Sequence, residues 1–378
     1  MDAEQSLRFL EELLRLMVSR QASDLFLTAG FPPAFKLDGA VTPAAAQPLA
    51  AAHTQALASA IFSPEQAQLF AKTRECNFAL ARAGIGRFRV NVFMQQGSVG
   101  LVLRRINTEI PQFESLKLPP VLRDVVMSAR GLAIVVGGTG SGKSTTLAAM
   151  IDQRNSQTAG HILTIEDPVE FVHPHKRSII SQREIGMDTD NWEAALKNAL
   201  RQAPDVILIG EIRDRETMEY AVAFAETGHL CLATLHANSA NQALDRIINF
   251  FPEERRQQLL MDLSLNLRGI ISQRLVPLAA GKGRAAAIEI LLNTPTVAEQ
   301  IFRGNVGGLK EIMASSRESG MQTFDQALYD LLQAGQIRME DALRFADSVN
   351  DLRLKIKLSG QDGQVDQLSK GLDHLDIV

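Results

Sequence analysis

The sequence predicts two α/β domains: a small mixed one, then a mostly parallel sheet wrapped in helices. Three observations lead there. The chain has 378 residues, more than one hydrophobic core usually serves. Up to about residue 110, short alternating strands and hairpin signals interleave with helices. From about residue 130, apolar runs with little alternation are separated by helical stretches, as in a sheet covered on both faces. Hydrophobic residues make up 46% and charged ones 22%, which rules out wholesale disorder.

The elements follow in order. Leu7, Leu10, Leu14 and Met17 recur at helical spacing, with Glu11, Arg15 and Arg20 opposite, so the first twenty residues read as an amphipathic helix. Asp24 to Gly30 reads as a strand, and Asp38-Gly39 between two short apolar runs is a two-residue hairpin turn. Ala-rich helical segments (about 47–60 and 64–73) precede two more strands. In Arg87 to Phe93, strict alternation places Arg87, Arg89 and Asn91 on one face and Phe88, Val90 and Val92 on the other. Val99 to Ile106 pairs with it through Gly97 and ends in Arg104-Arg105. Gln112 to Ala129 reads as a linker and a short helix. Leu132–Val136, Ile162–Ile165, Val206–Ile209 and Leu230–Leu235 are the buried strands. Trp192, Ala195, Leu196, Ala199 and Leu200 mark one helix face; Asp214 and Gly228 bound another helix as N-cap and stop. Beyond Pro252 the pattern turns helical, over 252–274, 294–303, 323–334 and 338–347, with Thr323 and Gly335 bounding the third. Residues 360–378 hold four aspartates against one lysine and read as a mobile tail.

Charge and cysteines narrow the function classes. The net charge of −4 disfavours non-specific nucleic-acid binding. Cys76 and Cys231 form no CxxC, which excludes a zinc knuckle and a disulfide scaffold. The N-terminus is acidic where a secretory signal is basic, and Pro43, Pro48 and His53 interrupt the one uncharged stretch, so the chain reads as soluble and cytoplasmic.

Gly137, Gly138, Thr139, Gly140, Ser141, Gly142, Lys143 and Ser144 fit G-x-x-x-x-G-K-[ST], after an apolar strand and opening the helical run in which Thr145 comes next. Glycines let backbone N–H groups converge on a phosphate, the helix N-terminus adds positive potential, Lys143 reaches the β- and γ-phosphates, and Ser144 can ligate Mg²⁺. Asp205 to Glu211 is an apolar strand ending in a carboxylate. Glycine stands at 210, and Glu211 is long enough to hold Mg²⁺ through water. A second strand delivers Glu166, a candidate general base at a carboxyl end, followed by Asp167 and Glu170. His229 and His236 stand at opposite ends of one strand, roughly 20 Å apart by strand rise, and so are not a metal pair. His236 is placed to sense a γ-phosphate. His229 reads equally as structural or as a further nucleotide contact. His173 and His175 flank Pro174 in a polar loop and read as solvated. Arg87, Arg89, Arg104 and Arg105 read either as a solvated face or as cations brought to a γ-phosphate.

In combination, Gly137–Ser144, Ile165–Glu170, Gly210–Asp214 and Thr227-Gly-His…Thr-Leu-His-Ala237 resemble the Walker A, aspartate-box, Walker B and histidine-box motifs of the secretion-type ATPases, in the family's order. Ser23–Thr28 and Gly86–Phe93 are similar to the N-terminal domain of that family. Within it the chain resembles the type IV pilus retraction ATPases (PilT and PilU), and is nearer PilU at Val297–Val306, at Gly320–Ala327 and in its extra tail. The resemblance implies a PAS-like domain over 1–110, a linker over 111–120, a RecA-like P-loop ATPase domain with C-terminal helices over 121–358, and a tail over 359–378. It also implies ATP and Mg²⁺ as cofactors, a homohexamer, the inner-membrane pilus platform and the paralogue PilT as partners, and a place at the cytoplasmic side of the inner membrane. The implied activity is motor-driven retraction. The alternative is an accessory subunit that binds nucleotide and depends on PilT.

Overall fold

The computed structural model describes residues 2–37, 39–106 and 109–358. Two compact units divide the chain, one of residues 1–109 with 169–172, the other of the remainder.

In the first unit, helix α1 (Ala3–Ser19) is capped by Asp2, whose carboxylate accepts from Gln5 N. Strands β1 (Asp24–Leu27), β2 (Ala34–Leu37) and β3 (Ala40–Pro43) follow, then helices α2 (Ala51–Ile61) and α3 (Pro64–Thr73), then β4 (Glu75–Arg82), β5 (Gly86–Gln95) and β6 (Ser98–Ile106). They form one antiparallel sheet, ordered β3-β2-β1-β6-β5-β4. Phe88, Val90 and Val92 point into the core beside Leu10, Leu14 and Leu57, as the alternation predicts. The β2–β3 hairpin forms, with Gly39 at φ 87°; Asp38 of its turn lies outside the described residues. Strand β4 was missed by the sequence reading, although Cys76, Phe78 and Leu80 alternate inward along it.

The second unit begins with α4 (Val121–Met127), β7 (Gly131–Val136) and α5 (Lys143–Gln157). Next come β8 (His161–Glu166), β9 (Ile179–Glu184), α6 (Trp192–Ala199), β10 (Val206–Ile209), α7 (Arg215–Glu226) and β11 (Leu230–Leu235). Helices α8 (Ala240–Asn249) and α9 (Glu253–Asn266) lead to β12 (Leu267–Pro277) and β13 (Arg284–Leu292). The described chain closes with α10 (Pro295–Phe302), α11 (Leu309–Ser315), α12 (Phe324–Gln333), α13 (Met339–Phe345) and α14 (Val349–Leu358). The sheet order is β13-β12-β7-β11-β10-β8-β9, parallel from β12 to β9 with β13 antiparallel at one edge.

Both faces are covered, which is why its strands read as unbroken apolar runs. Leu132, Ile134 and Val136 face a core shared with α6 to α10, whereas Ala133 and Val135 face α4 and α5. Phe113 and Leu118, from the segment read as a linker, are buried in this second core. Asp214 and Thr323 cap α7 and α12 as expected, and Gly228 and Gly335 adopt positive φ after those helices.

Two expectations fail here. The helix predicted over 252–274 ends at Asn266, and the chain enters β12. Gly269 is one reason: a Cβ there would sit 2.6 Å from Leu291 O, so β12 and β13 approach as only glycine permits. His173 is buried, not solvated. Its loop is tied to α5 by Asn155, which donates to Pro174 O at 2.8 Å and accepts from Lys176 N and Ser178 N at 3.2 and 3.3 Å.

Burial lowers the His173 pKa from 6.5 to about 4. Between those values the unfolded chain binds a proton that the folded chain does not, so stability present above about pH 6.5 is lost as pH falls toward 4. Thermal melts should show a midpoint falling across that window, and His173→Leu should flatten the fall. Parallel slopes in parent and variant would remove His173 as the cause.

Candidate nucleotide site

The phosphate loop starts where β7 ends. Val136 pairs with Leu235 of β11, and Ile209 of β10 pairs with Ile165 of β8, so Gly137, His236, Gly210 and Glu166 all leave the same carboxyl edge. Strand spacing puts Glu211 about 10 Å and Glu166 about 14 Å across the sheet from the loop. Within this unit the fold therefore gathers Gly137–Thr145, Glu166, Glu211 and His236 on one edge.

The loop's glycines have separate reasons. Gly140 and Gly142 adopt φ of 77° and 89°. A Cβ on Gly137 would stand 2.7 Å from Gln273 O, because β12 runs directly behind the loop. Gln273 also fixes the helix that follows, accepting from the buried Thr146 hydroxyl at 2.7 Å. Lys143 Nζ donates to Gly137 O at 2.7 Å and Gly138 O at 3.1 Å, holding the ammonium over the loop. Ser144 and Thr145, half-buried, lie in the first turn of α5. Behind that turn a cavity of about 520 Å³ is lined by Leu118, Gly142, Thr145, Gln273 and Leu275, among others.

Glu211 sits between two cationic or polar partners. Arg213 Nε donates to its Oε2 at 2.7 Å, and His236 Nε2 lies 3.3 Å from its Oε1. Arg213 also reaches Asp167 at 3.4 Å, and its bond to Glu211 pushes its own pKa further up. Gly210 is closely packed: a Cβ there would come within 3.1 Å of Glu166 Cα, so a side chain at 210 would press on β8. Thr234 Oγ1 donates to Gly210 O and Ile212 N to Thr234 O, stitching the β10 exit to β11. The Glu166 carboxylate accepts from Thr164 Oγ1 at 2.6 Å and Gln182 Nε2 at 3.4 Å.

The loop carrying His236 is held by Arg246, which donates to His236 O at 3.0 Å, and by Glu289, which accepts from Ala240 N at 2.8 Å and from Ser272 Oγ at 3.0 Å. Burial pushes the Glu289 carboxyl above its ordinary range. His229 is not brought to this edge of its own chain. Its backbone O accepts from Gly131 N at the start of β7, and its ring meets Thr227 Oγ1 at 3.1 Å. In the first unit, Arg89 and Arg104 are cross-strand partners on one face, and Arg105 shares the register of Phe88. Arg104 Nε is paired with the buried Asp24 carboxylate at 2.8 Å. Glu170 is exposed. Arg213, Gln273 and Glu289 escaped the sequence reading. Only Arg213 carried a signal, two residues from Glu211 on the same side of an extended segment.

Hard oxygen donors suit Mg²⁺, and the Ser144 hydroxyl and Glu211 carboxylate supply them; among the described residues no group of three or more His, Cys, Asp or Glu forms a metal cage. Few protein ligands fit a cation that keeps waters and binds substrate phosphates.

Comparison with known proteins decides the family. The model of the type II/IV secretion system protein family matches residues 2–324. The chain belongs to that family. It is 58% identical to the type IV pilus ATPase PilU of Pseudomonas aeruginosa, over 95% of this chain and 94% of that one. To the type IV pilus retraction ATPase PilT of the same organism it is 42% identical, over 88% and 96%. The crystal structure of the pilus retraction motor PilT with bound ADP superposes with a TM-score of 0.85 at 41% identity, covering 91% of this chain and 98% of that one. The resemblance to the PilT/PilU ATPases read from the motifs therefore holds, and the protein is a pilus-type ATPase of this family. No helix among the described residues is long and apolar enough to cross a membrane.

Proposed function

We propose that this ATPase is the subunit of a hexameric motor that hydrolyses ATP to power type IV pilus retraction from the cytoplasmic side of the inner-membrane platform. The observation that carries the reading is the gathering of the phosphate loop, the Glu211–His236 pair and Glu166 on one sheet edge. The first unit is read as PAS-like, the second as RecA-like.

Backbone N–H groups of Gly138 to Ser144 and the Lys143 ammonium bind the phosphates. The cavity beside Thr145 and Leu118 takes the base and ribose. Ser144, and Glu211 through water, would hold Mg²⁺, which would supply charge neutralisation at the phosphates. Glu166 accepts the proton of the attacking water, and His236, beside Glu211, senses the γ-phosphate. Arg87, Arg89, Arg104 or Arg105 brings positive charge to the transferring phosphoryl group, Arg104 only after leaving Asp24.

A second reading keeps the protein as a nucleotide-binding accessory of a PilT-like motor, without work of its own. It is favoured by the departure at Val297–Val306, most of which forms α10 with Phe302 exposed. Neither reading involves nucleic acid, given the net charge of −4. One experiment separates them: ATPase turnover of the isolated protein, with pilus retraction scored in cells that keep it, with and without the PilT paralogue. Turnover alone and retraction without the paralogue support the motor; retraction only with the paralogue supports the accessory.

A further inference from the structure

The C-terminal helices α12 to α14 have a hydrophobic cluster of their own, in which Phe324, Leu328, Ile337, Leu352 and Ile356 pack on Val276 and Ala287 of the β12–β13 hairpin. A module with a separate core can shift against the sheet without unpacking the rest. Arg274 is one side chain that ties it to the loop carrying His236. Arg274 follows Gln273 on β12; its Nη1 donates to Phe345 O at 2.7 Å, and its Nη2 pairs with Asp347 at 2.7 Å and donates to Asn238 O at 3.2 Å. The guanidinium lies 3.8 Å from the Phe324 ring centroid. Phe324, Phe345 and Asp347 belong to the C-terminal module. Asn238 belongs to the loop that carries His236.

Arginine suits this position because two separate N–H branches and a planar face are used at once, which an ammonium cannot supply. Asp347 is held firmly: burial pushes its carboxyl up, but Lys310 at 2.9 Å and Arg274 bring it below the usual range. Two further holds on the loop, Glu289 and Arg246, come from the sheet and from α8.

We propose that Arg274 is a positioning residue that couples the docking of α12 to α14 to the placement of the His236 loop, and so to the rate of ATP turnover. The inference rests on His236 belonging to the nucleotide site. It is tested on the full chain with Arg274→Lys and Asp347→Asn, by steady-state kinetics, thermal melting and hydrogen exchange of peptides spanning 234–242. Arg274→Lys should lower kcat about tenfold with KM held within about twofold, since a small misplacement costs rate more than binding. Asp347→Asn should lower kcat in the same sense, and both should speed exchange in that loop while β7 and β10 stay protected. Parent-like kcat and loop exchange in both variants would overturn the proposal, and so would a general loss of protection across the sheet. His236→Ala checks the underlying reading: a parent-like kcat there, with the loop loosened in Arg274→Lys, would leave the tether but remove its link to turnover.

Discussion

Lys143→Ala is expected to abolish ATP turnover, with kcat falling by at least about 10²- to 10³-fold, the loss typical when one preorganised charge-stabilising donor is removed. The Lys143 ammonium is held at 2.7 and 3.1 Å from two carbonyls of its own loop, so it faces the space between the backbone N–H groups without a search through rotamers. Arg213 is committed to Glu211 and Asp167, so it does not take the place of Lys143. The side chain is half-buried and belongs to none of the hydrophobic clusters, so the variant should melt near the parent temperature. Turnover within tenfold of the parent, in protein that melts normally, would mean the phosphates are held elsewhere.

Glu166→Ala should separate binding from chemistry. Its carboxylate lies across the sheet edge from the phosphate loop and accepts from Thr164 and Gln182. Nucleotide affinity should stay within a few-fold, while kcat drops roughly 10²- to 10⁴-fold, the usual worth of a positioned general base. Stability should fall by only about 1 kcal/mol, from the lost hydrogen bond of the buried Thr164 hydroxyl. If Glu166→Ala turned over at the parent rate, the base would have to be sought at another carboxylate of that edge, with Glu211 first.

Much of this site was legible because its chemistry is local. Glycines at fixed offsets before Lys143-Ser144 must form a turn, and the apolar strand before them sets the edge it opens on. Glu166 and Glu211 were legible for the same reason, each ending an apolar run. What escaped the reading is contributed from a distance in sequence. Gln273 and Glu289 stand on strands that had no clear pattern: part of β12 continues an apolar stretch that reads as well for a helix as for a fully buried strand. Strand β9 was missed because, at the sheet edge, its first residue Ile179 faces solvent and the apolar run breaks up. His173 looked solvated in a polar loop. It is buried because Asn155, some twenty positions away, satisfies that loop's backbone.

The sequence by itself determined the two-domain α/β class, the phosphate loop, the carboxylates at the strand ends and the caps of α7 and α12. These follow from short-range rules of periodicity, glycine conformation and capping, which act within one turn or one strand. The tertiary structure alone decided the strand order that brings His236 within 3.3 Å of Glu211. It also decided the tight approach of β8 to Gly210, and the guanidinium of Arg274 that joins the C-terminal helices to the His236 loop. Those depend on which buried strands pair and how closely they approach, and apolar runs of similar composition do not encode their own neighbours.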